Sequence, residues 1–159
     1  PGPAPPDRPV RGGSVAYSAS MNTEQTVYDA VGGERFFNDL VDRFYAGVAA
    51  DPELLAMYPN PQDLTDAKKH LAQFLVQYWG GPTTYSDQRG HPRLRMRHMP
   101  FRIGPAERDA WLRHMSAAVA GAKHLDPAIA GRLREYFDMA SRHLVNAEPD
   151  PGHGTHGTA

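Results

Sequence analysis

Between residues 23 and 147 the large apolar residues of this chain recur at three- and four-residue steps, and nowhere do they alternate with polar ones over the length of a strand. That spacing gathers side chains on one face of an α-helix. Phe36, Phe37, Leu40, Val41, Phe44, Tyr45 and Val48 make the first long stripe. Leu64, Ala67, Leu71, Phe74, Leu75, Tyr78 and Trp79 make the second. Trp111, Leu112, Met115 and Val119 form a third, and Ile129, Leu133, Tyr136, Phe137, Ala140 and Leu144 a fourth. The punctuation agrees. Asp51-Pro52 and Asp126-Pro127 each set a capping carboxylate before a proline at the first helical position. Pro105 opens a further helix with Glu107 in its first turn, while Gly32-Gly33 and Gly80-Gly81-Pro82 are stop signals. Asn22 and Gln25 together read as a capping-box-like start for a short helix ending at Ala30. The expected fold is all-α.

Composition matters mainly for what it removes. Residues 1–22 and 148–159 are rich in Pro, Gly, Ala and Ser and poor in large apolar side chains, so both are expected to be disordered tails around one domain at 23–147. The far tail carries His153 and His156, too isolated for more than weak metal binding. No apolar run is long enough to span a membrane, and none reads as a signal peptide, so the expected location is cytoplasmic. The net charge of −1 argues against a nucleic-acid-binding protein. The absence of cysteine excludes disulfides, cysteine-ligated zinc, iron–sulfur clusters and covalent c-type haem.

Residues 82–103 lack any sustained period and are expected to form a long loop with one turn near Arg93–Arg97; such loops are usually functional in small helical domains. The end of this loop is the most distinctive chemistry in the chain. From Arg89 to Ile103 it carries five arginines and two histidines, no acid, and prolines at 92 and 100. Histidine is the commonest neutral ligand for iron or zinc, and arginine matches carboxylates through its planar fork. A cationic loop presenting one histidine, His98, suits a ligand that carries both a metal and carboxylates. Haem is such a ligand. A haem-free reading also fits, with the arginine loop binding an acidic partner.

Ordered blocks then carry a family resemblance: Tyr28 through Gly33, Arg43-Phe44-Tyr45, Tyr58-Pro59, Gln77 through Pro82, Tyr85-Ser86, Gln88 through His98, Pro100 through Ile103, and Glu107 through Arg113. In these residues the chain resembles the group II truncated haemoglobins of actinobacterial type, over about residues 24–147. The resemblance implies a two-over-two α-helical sandwich around noncovalent haem b. Carried over position by position, it implies His98 as the proximal iron ligand and Tyr45, Tyr58 and Trp111 as the distal residues. It also places Ala67 where many globins carry a distal histidine or glutamine, with Leu71 and Phe74 as apolar pocket positions.

The residue types suit that chemistry. An iron with one histidine ligand leaves a position open for O₂, CO or NO. Bound O₂ draws negative charge, which donors stabilise. Tyr45 and Tyr58 offer hydroxyls and Trp111 an indole N–H that only donates. Arg97 and Arg102, with Tyr85 assisting, are candidates for the two haem propionates. His91, seven residues before His98, reads as a structural histidine bonded within the loop. Reversible gas binding for transport, storage or sensing is the leading reading. The alternative is a haem redox enzyme, an NO dioxygenase or a peroxidase-like activity. Ala67 supplies no distal base for peroxide chemistry. With no flavin or nicotinamide fingerprint in the chain, NO dioxygenation would require a separate reductase. The reading leaves room for a homo-oligomer.

Overall fold

The computed structural model describes residues 25–149, so most of the two expected tails, and Asn22 with its proposed cap, lie outside the described residues. Among the described residues there are eight helices and no strand: α1 Val27–Ala30, α2 Glu34–Ala49, α3 Pro52–Leu55, α4 Thr65–Tyr78, α5 Thr84–Arg89, α6 Leu94–His98, α7 Pro105–Ala120 and α8 Pro127–His143. The four long ones make two pairs, α2 with α4 and α7 with α8, and the pairs meet where α2 crosses α7. This is the two-over-two globin sandwich.

The stripes read for α2, α7 and α8 supply the buried faces, whereas of the stripe read for α4 only Leu75 is buried and Tyr78 is 50% exposed. Phe37, Leu40, Val41, Phe44, Tyr45 and Val48 of α2 are all buried, and Phe36 packs at the margin. Met115, Ala118 and Val119 of α7 and Leu133 and Phe137 of α8 complete the core. On α4 the buried residues are Ala72, Leu75 and Val76, whereas Ala67, Leu71 and Phe74 keep some exposure. Their side of the helix faces a cavity rather than another helix.

The caps follow the chemistry of the sequence. Asp51 Oδ1 accepts from Leu54 N at 3.3 Å and Asp126 Oδ1 from Ala128 N at 2.9 Å. Glu107 Oε1 accepts from Gly104 N at 2.7 Å, pinning the start of α7. The first helix differs from expectation: its N-cap is Thr26, whose hydroxyl accepts from Asp29 N at 3.0 Å. The loop expected over 82–103 contains two short helices: α6 is the turn expected near Arg93–Arg97, whereas α5 is a correction. Neither is long enough to repeat an apolar period, so periodicity had nothing to register.

The corner after α4 depends on glycine. Gly80 sits at φ +110°, and a Cβ there would come within 2.5 Å of the Thr26 Cβ. Gly81 abuts Tyr28 and Val76 just as closely. The chain turns while α1 presses on it, with Tyr28 N donating to Trp79 O at 3.0 Å. Gly131, inside α8, has nothing within 4 Å of its missing Cβ. Gly80→Ala is therefore expected to destabilise the domain by about 1–3 kcal/mol through overpacking and backbone strain. Gly131→Ala is expected to stabilise it by about 0.5–1 kcal/mol through helix propensity. Denaturant midpoints at unchanged m-value give both numbers. Equal midpoints for the two variants would contradict the close approach at the corner.

Candidate functional site

A cavity of about 620 Å³ opens between α4, the α5–α6 loop and the inner faces of α2, α7 and α8. Its size is that of a pocket for a large organic ligand, and its wall is mostly apolar, with a few converging polar groups.

One wall carries the aromatic donors. Tyr45 comes from the buried face of α2, Tyr58 from the turn after α3, and Trp111 from α7, and all three line the cavity. Tyr45 and Tyr58 meet edge to face with ring centroids 5.6 Å apart, and Phe44 bridges Tyr45 and Trp111 at 4.8 and 5.2 Å. Burial pushes the Tyr58 hydroxyl up to about 12, partly offset by hydrogen bonding with Tyr45 and Trp111. Tyr45 is raised further, first by burial and then by Tyr58. Both phenols stay neutral at any ordinary pH, and together with the indole they present neutral hydrogen bonds and no base. Ala67, Leu71 and Phe74 of α4 supply apolar wall.

The other feature is His98, the last residue of α6. Its Nδ1 lies 2.6 Å from Leu94 O, a distance and partner that require Nδ1 to carry the proton. In the neutral imidazole this tautomer places the lone pair on Nε2, and the imidazole lines the cavity. A backbone carbonyl on the far nitrogen is the arrangement that fixes the tautomer of a metal-ligating histidine and raises its basicity. The helix is preceded by Arg93 at its N-cap, which takes a left-handed conformation at φ 41°. His91 Nδ1 accepts from Arg93 N at 3.2 Å, which is the loop-bonding role expected of His91.

The cationic residues divide. Tyr85 is buried against the cavity, with the Arg89 and Arg97 guanidinium carbons 5.7 and 5.8 Å from its ring centre. Arg97 lines the cavity and is anchored to the loop by Pro92 O at 2.7 Å and Arg89 O at 2.6 Å. Arg102 is not among the lining residues. It faces Glu107 at 3.7 Å and donates to Glu148 O at 2.6 Å, which holds its side chain toward the C-terminal segment. Arg89 and His70 line the cavity in its place, 3.1 Å apart. Burial, then Arg89, lowers the His70 pKa, so the imidazole accepts from the guanidinium. Sequence reasoning left His70, Arg89 and Tyr136 without roles. For His70 a signal existed, since it falls one turn from Ala67 and next to Leu71.

The residues fit a haem group. The apolar slot would take the porphyrin, a lone-pair imidazole nitrogen would ligate iron, and Arg89, Arg97 and His70 would meet carboxylates. A helical sandwich of this topology around such a slot is a globin. The chain belongs to the bacterial-like globin family, whose model matches residues 26–144. It is 41% identical over 123 residues to the group 2 truncated hemoglobin YjbI of Bacillus subtilis, covering 75% of this chain and 87% of that one. Among solved structures it resembles a thermostable hemoglobin from the actinobacterium Thermobifida fusca, at 55% identity and a TM-score of 0.75, covering 79% of this chain and all of that one. The group II truncated hemoglobin of Bacillus anthracis follows the same path at 37% identity and a TM-score of 0.74, covering 81% and 97%. The protein is a truncated haemoglobin of the two-over-two type, a family of haem-based ligand binders.

The raised phenols have a consequence for stability. Unfolding returns Tyr58 from about 12 to the free value of 10.0, so above pH 10 the unfolded chain loses a proton that the folded chain keeps. The stabilisation is complete below pH 10 and drains away as pH climbs towards 12. Denaturant midpoints should fall steeply between pH 10 and 11.5, and less steeply in Tyr58→Phe. Parallel slopes for the two proteins would rule out Tyr58 as a source.

Proposed function

We propose that the chain holds haem b through His98 Nε2 and that the reduced protein binds O₂, CO or NO reversibly in the same cavity. This is the step common to oxygen transport, storage and sensing. The observation that carries the reading is the His98–Leu94 hydrogen bond, which dedicates one imidazole nitrogen to the backbone and leaves the other as a lone-pair donor facing an apolar slot. Bound haem would supply a ferrous iron with one open coordination position. The chain supplies the rest. Tyr45, Tyr58 and Trp111 offer neutral donors to a ligand that gathers negative charge. Ala67, Leu71 and Phe74 keep the slot dry and hold no base that would move a proton. Arg97 and Arg89 would neutralise the propionates, with Tyr85 packed against both guanidiniums. Arg102, turned toward Glu107 and the Glu148 carbonyl, has no part in that role.

Absorption spectra of purified protein test the foundation. A Soret band that shifts when CO is added to the reduced protein is expected, and an unshifted or absent band would remove the reading. His98→Ala should lose haem on a desalting column unless imidazole is supplied; full retention with an unchanged ferrous spectrum would mean that another residue holds the iron.

The donors are tested by gas discrimination. A hydrogen bond to a charged group is worth roughly 1.5–3 kcal/mol, so losing one should speed O₂ dissociation about ten- to a hundredfold. Tyr45→Phe and Trp111→Phe should each accelerate O₂ release while leaving CO release far less changed, and the double variant should be non-additive. Stopped-flow dissociation of both gases measures this. Equal acceleration for O₂ and CO would point to a loosened pocket instead.

A further inference from the structure

Helix α6 carries the residue on which the site turns, yet it buries none of its own residues. Its outward side chains lie in solvent, Met96 at 62% and the following Met99 at 59% exposure. Five residues form barely more than one helical turn, too short to persist without outside support. Only Leu94, Arg97 and His98 are half-buried, all three at the cavity, so polar contacts hold the helix to the rest of the chain.

They come from the far end of the chain. Past α8, the segment 144–148 runs back beside the chain that follows α6. Asn146 Nδ2 donates to Phe101 O at 2.9 Å and to His98 O at 3.2 Å. Its Oδ1 accepts from Ile103 N at 2.8 Å, and its backbone N–H donates to Ile103 O at 2.8 Å. One residue thus ties down the backbone at 98, 101 and 103. The link continues on both sides: Arg95 donates to His143 O, and Arg102 to Glu148 O. The Arg102 contact takes the bonded structure one residue beyond the domain end expected from composition. Asparagine is suited to the role because its short amide offers two donors and an acceptor; aspartate keeps only the acceptor, and alanine has neither.

We infer that Asn146 is a positioning residue for the proximal ligand, setting the place and tilt of the His98 imidazole by clamping the backbone of residues 98–103 to the segment that leaves α8. The inference rests on the reading of His98 as the iron ligand. In a short helix hung on hydrogen bonds, a shift of the His98 carbonyl carries the ring with it, because the ring itself is tied to Leu94 O in the same turn.

The test uses haem-loaded full chains of wild type, Asn146→Ala, Asn146→Asp and Val119→Ala. Val119 is 1% exposed in the core of α7, away from the clamp, so Val119→Ala is a purely structural control. Two readouts are needed: the iron–histidine stretching band of the reduced, ligand-free protein by resonance Raman, and the rate of haemin transfer to apomyoglobin. Both Asn146 variants should shift or broaden the band and speed haemin loss about tenfold. Val119→Ala should lower the melting temperature and leave the band in place. If Asn146→Ala lowers the melting temperature but keeps the wild-type band, and loses haemin no faster than Val119→Ala, the clamp is structural only and the inference fails. Should Asn146→Ala not fold, Asn146→Ser, whose hydroxyl reaches fewer partners, is read by the same criteria. A wild-type protein that binds haem without an iron–histidine band would instead overturn the assignment of His98, a result distinct from either outcome for Asn146.

Discussion

The architecture depends on the burial of one helical stripe. Helix α2 is the element against which α3, α4 and α7 all pack, and five of its side chains, Phe37, Leu40, Val41, Phe44 and Val48, are excluded from solvent. Removing a buried phenylalanine from such a position costs roughly 3–5 kcal/mol, a large part of the stability of a domain this size. Tyr45 lies on the same stripe, one residue after Phe44. Its hydroxyl is therefore held in the cavity by the packing that holds the fold. Arg43, on the next face, reaches α7 and donates to Ala118 O at 3.0 Å, which fixes the crossing of the two helices that deliver Tyr45 and Trp111.

The two sides of the cavity are built by different physics. The wall with Tyr45, Tyr58 and Trp111 is an aromatic cluster whose members lock one another edge to face, so its geometry follows from close packing. The wall with His98 has no comparable core. It is a chain of hydrogen bonds between backbone carbonyls and the side chains of Arg97 and Asn146. Apolar packing tolerates small shifts poorly, while a hydrogen-bonded loop is more adjustable.

Charge is arranged by the same division. The interior phenols are kept neutral by burial, and cations stand where the cavity is lined by Arg89 and Arg97, with a neutral His70 accepting from Arg89. Arg108 of α7 and Ser141 of α8 also line the cavity, and there the Arg108 charge is paired with Asp138 and bonded to Ser141 Oγ at 3.0 Å.

Much of this was legible in the sequence, and the boundary of legibility is physical. Helix burial repeats every three to four residues, so the stripes of α2, α7 and α8 declared the core, and Asp51, Asp126 and Pro105 declared their own helix starts. The ordered blocks from Tyr28 to Arg113 carried the family, and nine of the ten site residues expected from it line one cavity while Arg102 does not. Periodicity did not reveal α5 and α6, since helices of five and six residues are shorter than two turns. Nor did it choose among the arginines: in a stretch of irregular backbone, which side chain turns inward is decided by what lies opposite. Arg102 meets Glu107 and the Glu148 carbonyl there, and Arg89 meets His70 across 19 residues. Asn146 had no local signal at all. Its partners lie 43 to 48 residues away, and only the return of the chain past α8 brings its amide to their backbone.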